Sequence, residues 1–351
     1  MHCVAPVLSL PRDLRVAFDV DVVTGGRWQD AVDLPNLGAE LLDGAQFPNC
    51  AAYETWLIGE RRRLSAATET LLQEATLTSI SLGKPGRGGM HRAIAFAEQS
   101  GDSSLAASAY RHLAGSEVLR GLYARADRRL ATAEAAVTVD RHAAVELAAI
   151  GGVSRLDQGD VDGAIAIFRR GLAADLHRAH PFLPIMLAHT GRAYLLGSDL
   201  GAARRCLQES LDLARSRAWA GVTAAPLALL GHLAVAERDL VGARGLLEQA
   251  FARACQIADP CWETWSAHGL GLHASAVGDD ASALAHLVDA ITRSRPQRGG
   301  HLWSHVWALT AGVRIARCSG DLRAEGWYDE AIVIAQRCGM RALTDQLVHL
   351  N

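Results

Sequence analysis

From about residue 103 onward, small and large apolar positions recur at a fixed interval along the chain. Six segments carry a small-x-x-x-large-x-x-small pattern, the spacing that puts three side chains on one stripe of a helix. Their anchors are Ala126/Leu130/Ala133, Ala164/Phe168/Gly171, Ala203/Leu207/Ser210, Ala243/Leu247/Ala250, Ala283/Leu287/Ala290 and Ala324/Tyr328/Ala331. Successive first alanines are 38, 39, 40, 40 and 41 residues apart. Twelve residues before each stands another small residue: Ala114, Gly152, Gly191, Gly231, Gly271 and Gly312. Glycine inside a helix costs about 1 kcal/mol relative to alanine, so its return at one phase needs a packing reason, and the close approach of a paired helix supplies one. Gly159-Asp160, Ser198-Asp199, Arg238-Asp239, Gly278-Asp279 and Gly320-Asp321 lie between the two helices of a pair, where glycine can close one helix and aspartate can cap the next. Asp259-Pro260 offers the same cap, with proline at the first helical position.

These positions resemble the tetratricopeptide repeat, lengthened to about 40 residues. The resemblance keeps Gly191 with Tyr194, Leu230-Gly231 and Leu270-Gly271, and lacks the repeat's usual tryptophan and closing proline. It implies an all-α fold, a right-handed superhelix of antiparallel helix pairs with an extended concave face. The expected organisation is an irregular segment over 1–34, a separate helical domain over 35–102 and six repeats over 103–345.

In the second region, Tyr53, Leu57, Leu64, Leu71 and Ala75 fall on one stripe of an amphipathic helix over 53–77, with Arg61-Arg62-Arg63 read as its solvated face. Glu40-Leu41-Leu42, Trp56-Leu57 and Glu60-Arg61, within ELLDG and FPNCAAYETWLIGERRRL, resemble the opening of the bacterial transcriptional activator domain of Streptomyces antibiotic regulatory proteins. In that family the domain follows a winged-helix DNA-binding domain. Only about 34 residues precede the signature here, and no G-x-x-x-x-G-K-[ST] is present, so neither DNA binding nor ATP hydrolysis is carried over.

Composition narrows the function further. Lys+Arg of 35 against Asp+Glu of 38 gives a net charge of −3, without the basic footprint of a chain that grips nucleic acid unaided. The seven cysteines are scattered with no C-x-x-C, as suits reduced thiols in the cytoplasm, and no signal peptide opens the chain. Residues 218–236 contain no Asp, Glu, Lys or Arg, yet they fall in register with the other repeats and read as a buried helix rather than a membrane span.

Candidate chemistry is sparse. GKPGRGG at 83–89 lacks the strand that precedes phosphate-binding loops and reads as an inter-helix loop. Ser81-Leu82-Gly83-Lys84 matches S-x-x-K without its companion motifs. His301 and His305, with His268, His273 and His286, show no zinc-ligand spacing. His177 and His180 are expected to close a helix, where positive charge suits the dipole. No cofactor and no enzymatic activity are expected.

Five of the eight tryptophans follow residue 261. Aromatics at helical spacing are more often core than binding platform. The groove-facing phases of tetratricopeptide repeats nevertheless fall on Arg111, Glu146, Arg192, His232, Trp265 and His268, the candidate ligand- or partner-binding residues. Such a set suits a peptide, an acidic ligand or a polar metabolite. The expected function is a regulatory, protein-interaction module of a bacterial transcriptional regulator. Expected partners are a protein or peptide such as the transcription machinery or a separate DNA-binding subunit, a small signal ligand, or a second copy of the chain; the membrane is not among them. The alternative is a free-standing repeat scaffold unrelated to transcription.

Overall fold

The computed structural model describes residues 19–24, 41–42, 53, 56–64, 67–68, 103–136, 141–175, 180–217, 219–295 and 301–350. The chain divides into two compact units, Met1–Thr78 and Ser79–Asn351. The loop expected at 83–89 and the distal end of the helix expected over 53–77 lie outside the described residues.

In the first unit a short helix covers Asp19–Thr24, and 56–64 is helical with Leu57 buried and Trp56 half exposed. The arginine run is not wholly solvated. Arg61 donates from Nε to the Leu41 carbonyl and from Nη2 to the Leu42 carbonyl, each at 2.9 Å. The planar guanidinium fork clasps two successive carbonyls at a backbone turn where Leu42 has φ +53°. This joins the ELLDG and ER pieces of the signature through one side chain.

The second unit is all-helical among its described residues. Its helices are α1 (Ser103–Leu119), α2 (Tyr123–Ala136), α3 (Arg141–Asp157), α4 (Val161–Ala174), α5 (Leu183–Leu196), α6 (Leu200–Ser216), α7 (Ala224–Ala236), α8 (Leu240–Ile257), α9 (Pro260–Ala276), α10 (Asp280–Arg293), α11 (Leu302–Ser319), α12 (Arg323–Cys338) and α13 (Arg341–His349). They pair as α1/α2 through α11/α12, with each first helix also packed on the next first helix and each second helix wedged against the following pair. α13 stands where a seventh pair would begin and packs on α11 and α12. First helices therefore form one continuous wall, and second helices form the other.

The recurring glycines are explained by contact. A Cβ on Gly152 would lie 2.3 Å from the Phe168 ring, and one on Gly191 or Gly231 would lie 2.5 Å from Leu207 or Leu247 Cγ. Each meets the large anchor sixteen residues on, so any side chain there would push the two helices of a pair apart. Five of the six aspartates cap as expected: Asp160, Asp199, Asp239 and Asp279 accept from the N–H three residues ahead, and Asp259 accepts from Cys261 and Trp262. Asp321 does not, because Leu322 takes the cap position of α12 and Asp321 accepts from the Arg323 N–H two residues ahead. The left-handed residue before the cap is Gly159 or Gly278 in two turns, whereas Ser198 (φ 63°) and Arg238 (φ 65°) adopt it in two others.

Two local expectations change. α4 ends at Ala174, so His180 does not close it; His180 lies ahead of α5, where its Nδ1 accepts from the Phe182 N–H at 3.0 Å. His177 lies outside the described residues. Within the apolar stretch 218–236, Ala224–Ala236 forms α7, which is buried along most of its length, after a short 3-10 turn at Ala220–Val222. No helix among the described residues is long and apolar enough to cross a membrane.

The array closes on itself. The Nε2 of His301, just before α11, lies 2.6 Å from Asp157 Oδ2 at the end of α3, 144 positions away. A Cβ on Gly121, in the α1–α2 turn, would meet Cys338 Sγ at 3.0 Å and Leu302 Cδ2 at 3.1 Å. One on Gly159 would meet the Ala342 backbone nitrogen at 2.9 Å. The first two pairs thus abut the last pair and α13.

Candidate functional site

Closure brings the ends of α3 and α5 against the starts of α9 and α11 and encloses a polar and aromatic cluster. Asp157 is fully buried. It accepts from Arg192 Nη2 at 2.7 Å, pairs with His301 at 2.6 Å and receives the Tyr123 hydroxyl at 3.4 Å. Burial alone would raise the Asp157 carboxyl; the charges and hydrogen bonds of His301 and Arg192 outweigh it and hold the group below its ordinary value. Burial likewise drives the Tyr123 hydroxyl up, with Asp157 adding to the effect.

Arg192 projects from α5 between two indoles. Its guanidinium carbon stands 3.8 Å from the Trp303 ring centroid and 5.0 Å from that of Trp265, a cation–π arrangement strengthened by burial. Only one of its nitrogens is bonded to Asp157; Nε and Nη1 are enclosed without a hydrogen-bond partner. Trp265 is 1% exposed and donates from Nε1 to Ser304 Oγ at 2.5 Å. Trp262, Trp303 and Trp307 surround it with ring centroids 5.1, 6.3 and 5.9 Å away.

A histidine layer continues the cluster. His232 Nε2 lies 2.9 Å from the Trp265 carbonyl. Burial pushes His232 down to about 4 despite that bond, so the ring is neutral and Nε2–H is the donor. His268 stacks on Trp307 at 3.6 Å between centroids, and neither of its ring nitrogens has a partner. Burial, His232 and Arg314 together hold it well below the ordinary histidine value. The enclosed Nδ1 of His189, on α5, is also unpartnered; burial and Arg192 push that group down to about 3.

Of the residues selected by repeat register, Arg192, His232, Trp265 and His268 meet in this cluster. Arg111 and Glu146 form a separate, mostly buried ion pair at 2.8 Å between α1 and α3. Register predicts an open groove at Arg192 and Trp265; instead they are 2% and 1% exposed, because the last pair folds over them when the array closes. Register also misses Asp157, His301, Trp303 and Ser304. One signal was present: the phase of Asp157 carries Leu119, Leu196, Ala236, Ala276 and Arg317 in the other five repeats, so Asp157 is its one carboxylate. His301 and His305 serve hydrogen bonds: His305 Nδ1 lies 2.9 Å from Ser294 Oγ, and its Nε2 3.1 Å from Glu330.

Comparison with known proteins agrees with the architecture. No family model matches the chain, and no curated protein matches it in sequence. Among solved structures, it is similar to a Rap protein complexed with competence and sporulation factor, with a TM-score of 0.60 and 12% identity over 80% of this chain and 79% of that one. It is also similar to NprR in complex with its cognate peptide NprX, with a TM-score of 0.57 and 12% identity over 80% of this chain and 81% of that one. The fold is thus a tetratricopeptide-like helical repeat array.

Proposed function

We propose that this chain is the ligand-sensing module of a bacterial regulator and takes a short peptide along the wall formed by its first helices. The observation that carries the reading is the set of enclosed, unpartnered polar atoms on that wall: Arg192 Nε and Nη1, His189 Nδ1 and both nitrogens of His268. A buried polar atom without a partner costs about 1–3 kcal/mol, and five such atoms in one cluster point to a state in which something else satisfies them. The carbonyl oxygens and carboxylates of a peptide supply acceptors, and the indoles of Trp262, Trp265, Trp303 and Trp307 supply flat apolar surface. The similarity to two structures solved with bound signals supports the same reading. With Arg192 and Trp265 enclosed, the Asp157–His301 contact has to part before a peptide reaches them, so the ligand acts by favouring a more open arrangement.

The resemblance of residues 40–64 to the transcriptional activator domain supports placing the module in transcriptional control in the cytoplasm, with DNA contact made by another chain or domain. The test is affinity selection from a pool of unmodified hexapeptides, read by mass spectrometry, followed by hydrogen exchange. Retained peptides should protect α5, α9 and α11. Failure to retain any peptide, or protection confined to the second helices, would overturn the reading.

A further inference from the structure

A cleft of about 420 Å³ opens between α9, α11 and α13, at the C-terminal end of the first-helix wall. It lies in the size range of small-ligand sites. Its apolar floor is made by Leu272, Ala311, Leu350 and the Trp307 indole, and its polar groups are His268, Thr310, Arg314, Gln346 and His349. Among the described residues, no carboxylate side chain lines it.

Two of those polar groups have nothing to bind. His268 is 1% exposed with both ring nitrogens unpartnered. Burial, His232 and Arg314 keep it neutral, so it presents one N–H and one lone pair, and neither is satisfied. Arg314 is exposed and has no ion-pair or hydrogen-bond partner among the described residues. Nearby Arg293, Arg317 and Arg323 are paired with carboxylates, which leaves Arg314 as the cation open to a ligand at this cleft. An unpaired guanidinium, a buried unsatisfied imidazole and an indole face therefore converge on one opening.

We propose that this cleft binds a carboxylate carried on an apolar group. Arg314 takes the carboxylate in its two-donor fork, the His268 N–H supplies a further donor, and the apolar part lies on Trp307 between Leu272 and Leu350. That chemistry belongs equally to the terminal residue of a peptide and to a free organic acid of similar size. The proposal shares His268 and Trp307 with the peptide reading above, which otherwise rests on the Arg192 cluster, and the probes below are chosen so that the failure of one is distinguishable from the failure of the other.

The experiment uses four probes on the full chain, read by calorimetry and tryptophan fluorescence: N-acetyl-L-leucine, its carboxamide, and the hexapeptide pool with free or amidated C-termini. The acids should bind and the amides should bind at least tenfold more weakly. Arg314→Gln, a surface change that leaves the core intact, should weaken acid binding about tenfold or more, the loss expected for a charge-assisted hydrogen bond. Arg205→Gln, on an exposed face of α6, should change nothing. Binding of N-acetyl-L-leucine assigns the site to free acids as well; binding of the free-ended pool alone assigns it to peptide termini. Equal binding of acids and amides, an unaffected Arg314→Gln, or no binding of either acid overturns the proposal. If both pools bind equally and protect α5, the peptide reading stands while this one falls.

Discussion

Asp157→Asn is the sharpest test of how the array is held closed. The carboxylate is fully buried and, among the described residues, is the one charged partner of Arg192, at 2.7 Å, and of His301, at 2.6 Å. Asparagine keeps the shape but removes the charge, and its amide nitrogen is a donor facing donors. Breaking a buried pair by altering one partner costs about 3–5 kcal/mol, because the other charge stays buried and uncompensated. The aromatic faces of Trp265 and Trp303 retain part of the interaction with Arg192, so the lower half of that range is expected. At roughly 2–4 °C per kcal/mol for a unit of this size, the melting temperature followed by helical circular dichroism should fall about 10 °C. Hydrogen exchange should rise at the α3–α4 turn and the start of α13, which touch through Gly159 and Ala342. Arg204→Gln, which removes the exposed pair with Glu237, should cost at most about 1 kcal/mol. A melt for Asp157→Asn within 2 °C of the parent, with unchanged exchange at both segments, would refute the reasoning.

Other consequences of the packing can be measured in the same way. Gly231→Leu places a side chain where a Cβ already lies 2.5 Å from Leu247 Cγ, and urea denaturation should show a loss of about 1–3 kcal/mol or more; no loss would mean that the helix pair is looser than described. Arg238→Gly should stabilise by about 1 kcal/mol in the same assay, because a non-glycine residue at φ 65° is strained, and a loss would show that the side chain makes a compensating contact. Acid should destabilise the chain early: His232, pushed down to about 4, and His268, held well below the ordinary value, stay neutral when folded but take up protons when unfolded. The His232 contribution is complete above pH 6.5 and is lost as pH falls toward 4, at about 1.4 kcal/mol per pH unit, and His268 acts in the same direction. A flat stability profile between pH 6.5 and 4.5 would contradict their burial.

The repeat architecture was legible because its cause is local. A glycine at one phase, a large anchor sixteen residues later and an aspartate cap between them specify one helix pair without reference to the rest of the chain. Register also brought forward Arg192, His232, Trp265 and His268, since side chains at those phases share the first-helix wall. Closure was not legible. The contact between Asp157 and His301 spans 144 positions and arises from the summed small rotations of successive pairs, which no single repeat encodes. For the same reason Arg192 and Trp265 read as groove residues although the last pair covers them. The carboxylate at 157, at a phase held elsewhere by Leu, Ala or Arg, was a signal that register alone does not weigh.

The central claim is that a peptide reaches the first-helix wall only when the closed array parts. Gly121→Cys tests it directly, since a Cβ there would lie 3.4 Å from Cys338 Cβ, within reach of a disulfide after a small adjustment; a side chain at φ 70° costs about 1–2 kcal/mol, and the oxidised and reduced forms carry that cost alike. The oxidised variant is locked shut and the reduced variant is free to open. With the hexapeptide pool as probe, the account predicts capture of peptides by the reduced form and loss of that capture on oxidation, restored by reductant. Equal capture by the locked and free forms would contradict it.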